Sequence, residues 1–221
     1  SNAYNMDICY DSSIDRVMMY WRSETNSNRP YVAVGEVNAN GSITWGTAQY
    51  VTTYDRAEGT IQSFGNGKVM LVSKYSWSDN QYIKVAIGVV NASAKTIAWG
   101  SEVNIGTGDE PRSCIINSTH AFITWRQQNA SNGMMCKIIE QTGTNGVTAG
   151  SQLNPGWSSF YMGGSHAKPT YNSSTNKVVI TWRDTSNYLK GVVGTINISG
   201  KSISWGSATN VNTGQPNYTP N

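Results

Sequence analysis

Ile43-Thr44-Trp45-Gly46-Thr47, Ile97-Ala98-Trp99-Gly100-Ser101 and Ile203-Ser204-Trp205-Gly206-Ser207 are three copies of one pattern: a β-branched residue, a spacer, Trp-Gly, then a small hydroxyl residue. A fourth copy has decayed to Val147-Thr148-Ala149-Gly150-Ser151. Successive glycines lie 54, 50 and 56 residues apart, and self-similarity at such a period marks a repeat architecture. The repeat therefore decides the fold.

A second marker keeps the same period: Val17-Met18-Met19-Tyr20-Trp21-Arg22, Val69-Met70-Leu71-Val72-Ser73-Lys74, Ala121-Phe122-Ile123-Thr124-Trp125-Arg126 and Val178-Val179-Ile180-Thr181-Trp182-Arg183. Each is a hydrophobic run ending in a cation. A third lies between them, with Val32-Ala33-Val34-Gly35, Val85-Ala86-Ile87-Gly88 and Val192-Val193-Gly194 against the weaker Lys137-Ile138-Ile139-Glu140. A further short apolar run precedes each cation-ending one, around Ile8 to Tyr10, Ile61 to Phe64, Cys114 to Ile116 and Pro169 to Tyr171. Every unit thus predicts four short strands separated by Gly, Asn, Ser and Asp turns.

Runs that are apolar on both sides imply strands covered on both faces. A four-stranded sheet repeated about every 50 residues is the blade of a β-propeller, in which blades stack around an axis and leave only short edges. A β-sandwich pair seldom repeats so regularly, and a solenoid coil needs a shorter period. The expectation is an all-β propeller of four-stranded antiparallel blades, four in number, forming one domain over residues 4–221 with repeats at about 6–53, 60–107, 112–153 and 168–213. Pro216-Asn217-Tyr218 resembles Pro169-Thr170-Tyr171, so the tail either closes the ring beside the first strand or opens a further unit. Ser1-Asn2-Ala3 reads as the scar of a cleaved expression tag, and Tyr4 after it leads us to expect a natural start upstream.

Composition agrees with strands. Leu occurs only at Leu71, Leu153 and Leu189, while Val, Ile, Thr, Tyr and Trp abound and Gly reaches 22. Charged residues are only 13%, so the surface is coated by Asn, Ser, Thr and Gly, a coat common on extracellular and viral surface proteins. A net charge of +3 without a Lys/Arg run argues against nucleic acid as a partner. No apolar stretch has the length to span a membrane as a helix. Cys9, Cys114 and Cys136 are an odd number at no metal-ligand spacing, and read as buried free thiols.

Alternating strand direction sends the loops after the second and fourth strands to one end, and the turns after the first and third to the other. Loops such as Ser23 to Pro30, Tyr75 to Gln81, Gln127 to Gly133 and Asp184 to Tyr188 make the first end the place to look for function. The connection Asn154-Pro155-Gly156-Trp157-Ser158-Ser159-Phe160-Tyr161-Met162-Gly163-Gly164-Ser165-His166 is longer than its counterparts. Its rings, Trp157, Phe160 and Tyr161, could stack on a sugar beside His166, or could bury themselves over a blade junction; both readings stay open. The cations Arg22, Lys74, Arg126 and Arg183 would form a quasi-symmetric ring at that end. Arg126 and Arg183 join the candidate ligand-binding set because a guanidinium suits hydroxyl, carboxylate or sulfate groups. Repetition in every unit favours instead a structural pairing with a nearby acid such as Asp184. The repeated tryptophans read as blade-to-blade packing residues.

Signs of catalysis are missing from the sequence. His120 opens a strand as a structural histidine would, no nucleophile elbow, metalloprotease helix or phosphate loop occurs, and no motif pairs the acids Asp55, Glu58, Asp109, Glu110 and Glu140. Asp11-Ser12-Ser13-Ile14-Asp15 is too poor in ligands for a calcium loop and reads as a turn. The expectation is a non-enzyme with no cofactor and no metal.

Aligned, the fourth unit reads Tyr171-Asn-Ser-Ser-Thr-Asn-Lys-Val-Val-Ile-Thr-Trp-Arg-Asp184, Gly191-Val-Val-Gly-Thr-Ile196 and Ser202-Ile-Ser-Trp-Gly-Ser207. This resembles the propeller-type repeats of bacteriophage tail fibres and related viral or bacterial surface proteins, over nearly the whole chain. The resemblance implies host-surface recognition, at an extracellular or virion surface, of a glycan or other host-surface receptor. It transfers no binding residue, because the matching positions look like blade scaffold. The leading expectation is a lectin-like or tail-fibre-like recognition module. A structural domain that packs on neighbouring appendage subunits is the second, and a degenerate glycan hydrolase the third.

Overall fold

Each Val-, Ile- and Thr-rich run forms a strand, because branched and aromatic side chains suit a pleated surface packed on both sides. The computed structural model describes residues 3–23, 29–51, 56–75, 81–127, 133–155, 168–184, 186 and 188–211. No helix occurs among them.

Four antiparallel sheets follow one another along the chain. The first holds β1 (Ala3–Asp11), β2 (Arg16–Ser23), β3 (Arg29–Val37), β4 (Ile43–Trp45) and β5 (Gln49–Tyr50). The second holds β6 (Arg56–Gly65), β7 (Lys68–Tyr75), β8 (Tyr82–Asn91), β9 (Thr96–Trp99) and β10 (Val103–Thr107). The third is β11 (Asp109–Ile115), β12 (His120–Arg126), β13 (Met134–Thr142) and β14 (Gly146–Ala149). The fourth is β15 (Lys168–Asn172), β16 (Lys177–Arg183), β17 (Leu189–Asn197), β18 (Ser202–Trp205) and β19 (Thr209–Asn210). Within each sheet the strands run as a meander, first to fourth.

The fourth strand differs from expectation, for it is broken. In the first sheet β4 and β5 both pair with β3, in the second β9 and β10 with β8, and in the fourth β18 and β19 with β17. In the third sheet an isolated bridge from Leu153 to Cys136 takes the place of the second half. The break falls at the marker glycine, whose N–H donates to a third-strand carbonyl: Gly46 to Val34, Gly100 to Ile87, Gly150 to Ile138 and Gly206 to Val193, at 2.8 to 2.9 Å. At Gly46, Gly100 and Gly150 a side chain would strike the next sheet. A Cβ on Gly100 would lie 2.2 Å from the Asn145 carbonyl, and one on Gly46 2.6 Å from that of Lys95. The glycine is thus a seam between sheets.

Register puts Ile8, Tyr10, Val17, Met19 and Ala33 on one face of the first sheet, and Cys9, Met18, Tyr20, Val32 and Val34 on the other. The second of these faces packs on Ile61, Val69, Leu71, Val90 and Ile97 of the second sheet. The second sheet's other face, with Met70, Val72, Val85 and Ile87, meets Ala121, Ile123 and Trp125 of the third. Phe122, Cys136 and Ile138 on the third sheet's far side meet Val178, Ile180 and Trp182 of the fourth. Each buried aliphatic or aromatic side chain contributes roughly 1.5–3 kcal/mol. Trp99 and Trp205 pack into these joints, and Trp205 meets Phe122 edge-on at 6.3 Å between centroids. Trp45 does not, and is 41% exposed, because the described residues place no sheet on the first sheet's remaining face. Cys136 is buried, whereas Cys9 and Cys114 are only half-buried; all three are free thiols.

Candidate functional site

The first strands of all four sheets meet at one place. Side chains tie neighbours together there: Asp7 on β1 accepts from the Thr60 hydroxyl at 2.7 Å and the Ile61 N–H at 2.8 Å, both on β6. Glu58 on β6 in turn accepts from the Glu110 N–H on β11 at 2.8 Å. Lower down, Asp11 binds the Ser63 hydroxyl and the Gly67 N–H. Burial opposes the Asp11 charge, but these bonds and those from Ser13 hold its carboxyl below the ordinary value. The Asp11 to Asp15 segment is therefore a turn that also anchors the next sheet.

Between the first strands lies a cavity of about 260 Å³ whose walls include Asn5, Asp7, Glu58, Thr60, Arg112 and Lys168. Four of these are structural equivalents. Asp7 faces Tyr20 across its ladder, Thr60 faces Val72, Arg112 faces Thr124 and Lys168 faces Thr181, which is the same position in every cation-ending run. One level of the cavity thus carries an acid, a hydroxyl and two cations. Just outside that level the register slips between Tyr4 and Asp7, between Arg56 and Gly59, and between Asp109 and Arg112. Such bulges re-aim side chains at a rim, and Asn5 and Glu110 take positive φ values of 51° and 52° to make them.

Antiparallel pairing brings the starts of the first strands to the same end as the last residues of the second strands. Arg126 lies there, opposite Asp109. Its guanidinium grips that carboxylate with two bonds of 2.8 and 2.6 Å, and Lys74 stands 3.9 Å from it. Hydrogen bonding to Asp109 raises the Arg126 pKa further. Glu110 lies 3.8 Å from Arg126, yet burial pushes its carboxyl up to about 7, with Glu58 and Asp109 adding to the effect. Arg22 sits 5.3 Å from the Tyr4 ring centre. Arg183 closes β16 opposite Leu189. Asp184 serves its own loop, accepting from the N–H groups of Ser186 and Tyr188, and pairs with Lys190 at 3.3 Å.

Arg126 and Arg183 are thus at the expected end, and Arg126 is held in the structural pairing that repetition favoured. Trp157, Phe160, Tyr161 and His166 lie outside the described residues. His120 opens β12, where its N–H donates to Asn117 and its ring lies 2.9 Å from the Thr119 hydroxyl. Sequence reasoning missed Asp7, Thr60, Arg112 and Lys168. The signal was available, since all four occupy one aligned position, but the first strands were located by their apolar residues alone. No cluster of His, Cys, Asp and Glu with metal-holding geometry occurs among the described residues.

Fold and site define an all-β repeat protein whose four sheets share a cavity of mixed polar and apolar lining. No family model and no curated protein matches the sequence. Among solved structures, the chain is similar to an exo-β-1,3-galactanase from Phanerochaete chrysosporium crystallised with β-1,3-galactotriose, at a TM-score of 0.52 and 15% identity. The likeness covers 91% of this chain and 52% of that one, so the chain spans about half the length of the enzyme. At that identity it bears on the fold alone.

Proposed function

We propose that the four sheets are blades of a β-propeller, four in this chain, and that the protein is a non-catalytic recognition module. In this reading it belongs to a tail-fibre-like or related surface appendage and binds a cell-surface glycan at the end where the cavity opens. The cavity carries the proposal: donors and acceptors from four blades converge on a space lined by Asp7, Thr60, Arg112 and Lys168. A polyol satisfies such a mixed set better than an apolar ligand does. A chain of similar fold was solved with an oligosaccharide, which makes a glycan the class of ligand to test first. One such cavity gives modest affinity, and repetition on an appendage multiplies it.

The test is a glycan array read with the purified protein and with Thr60→Val. Hits that the variant loses support the proposal; an array without hits, joined to tight binding of a neighbouring appendage subunit, overturns it in favour of a structural domain. A hydrolytic reading has one observation on its side, the Glu110 carboxyl raised to about 7 next to Glu58. Release of reducing ends from β-1,3-galactan, abolished by Glu110→Gln, would replace recognition by catalysis.

A further inference from the structure

Charge in the cavity is unevenly committed. Both oxygens of Asp7 are engaged: Oδ1 accepts from the Ile8 N–H at 3.0 Å, and Oδ2 from Thr60 and Ile61. Glu58 is engaged through Oε2 by the Glu110 N–H. The donors on these acids are backbone N–H groups and a hydroxyl, and the bonds from Thr60, Ile61 and Glu110 hold neighbouring strands together. Among the described residues no ion pair joins Asp7 or Glu58 to the cavity's cations, although the Arg112 charge acts on the neighbouring Glu110 carboxyl. Among the described residues Arg112 donates only to the carbonyl of Pro111, at 2.8 Å, and forms no ion pair. Lys168 forms none either and is exposed. The contrast with the same end of the second strands is plain, for there Asp109 neutralises Arg126 and stands beside Lys74.

Arg112 and Lys168 occupy equivalent positions on adjacent sheets and line one cavity. We propose that they receive the carboxylate of an acidic sugar, so that the glycan bound here is anionic, of the uronic acid class. The guanidinium fork of Arg112 supplies two parallel donors to a carboxylate, and Lys168 supplies a point charge that follows it. This inference rests on the glycan reading of the preceding subsection and narrows it.

Calorimetric titration with tri-galacturonate and with its neutral counterpart galactotriose, at low and high salt, tests it. The acidic trisaccharide is expected to bind about tenfold tighter, the value of one charge-assisted hydrogen bond. Lys168→Gln and Arg112→Gln should each lower the ratio of acidic to neutral affinity, and a ratio unchanged in both would overturn the assignment. A sulfated galactose trisaccharide binding better than the galacturonate would move the site from carboxylate to sulfate and overturn the assignment. Equal affinity for acidic and neutral probes refutes the anionic inference while leaving glycan recognition standing. Absence of binding by every probe, with an array equally silent, removes both.

Discussion

Glu110 is a carboxyl whose ionisation the fold resists, and the direction of the resulting pH dependence follows from its surroundings. Burial lifts its carboxyl from 4.5 to about 7 despite the nearby Arg126. Between those two values the folded chain keeps a proton that the unfolded chain has released, so stability falls as pH rises through this window. Below it the penalty is absent; above it the full cost applies, about 3 kcal/mol at most. Glu110→Gln should therefore unfold at a higher denaturant concentration than the parent at pH 8 and at nearly the same one at pH 4.5. Equal differences at both pH values would show that the carboxyl is not held protonated. Glu110 is also instructive about legibility. The sequence shows it as one of several scattered acids, because nothing in the string reveals that a bulge with φ of 52° turns it inward beside Glu58. Arg126 was readable, since its recurrence in every unit pointed to a structural partner. Which acid would supply that partner, Asp109 on the neighbouring strand, needed the register.

Strands were legible because the chain writes each one four times. A single run such as Val69 to Lys74 is ambiguous between a buried helix turn and a strand, but four aligned copies at one period leave only the strand. Their lengths were less so: β1, β6 and β11 each start several residues before the apolar run that locates them, in polar stretches joined by bulges. The broken fourth strand has a cause that one position tests. Gly100 receives the turn of the following sheet, where a Cβ would meet the Asn145 carbonyl at 2.2 Å, whereas among the described residues Gly206 has no turn upon it and would meet only the Val193 carbonyl at 3.3 Å. Gly100→Ala is expected to cost on the order of 1–3 kcal/mol, the range for overpacking against a group that cannot yield. Gly206→Ala should cost clearly less. Thermal melting of the two variants decides the matter, and similar losses would mean that the marker glycine serves its own strand and not the seam.

Across the whole molecule, the repeats share a pattern and differ in environment. Every sheet presents the same face to the sheet before it, and three of those faces are covered. Among the described residues no sheet covers the first sheet's, where Met6, Ile8, Tyr10 and Trp45 are 61%, 55%, 53% and 41% exposed. Sequence could not have announced this, because a residue at a joint and its equivalent at the end of the series are chosen by the same repeat. Ile8 faces Met19 and Ile61 faces Leu71, so the two isoleucines hold the same place in successive sheets. Ile61 is nevertheless fully buried. A lysine at that position would bring an unpaired charge into the joint between the first and second sheets, at a cost of more than about 4 kcal/mol. The same change at Ile8 removes apolar area that water already reaches, and should shift stability by no more than about 0.5 kcal/mol. Contiguous exposed apolar surface also binds hydrophobic dyes. Ile8→Lys is therefore expected to melt with the parent while lowering its fluorescence with anilinonaphthalene sulfonate, and Ile61→Lys to unfold. If Ile8→Lys instead destabilised the chain as Ile61→Lys does, the first sheet's outer face would have to be covered in solution.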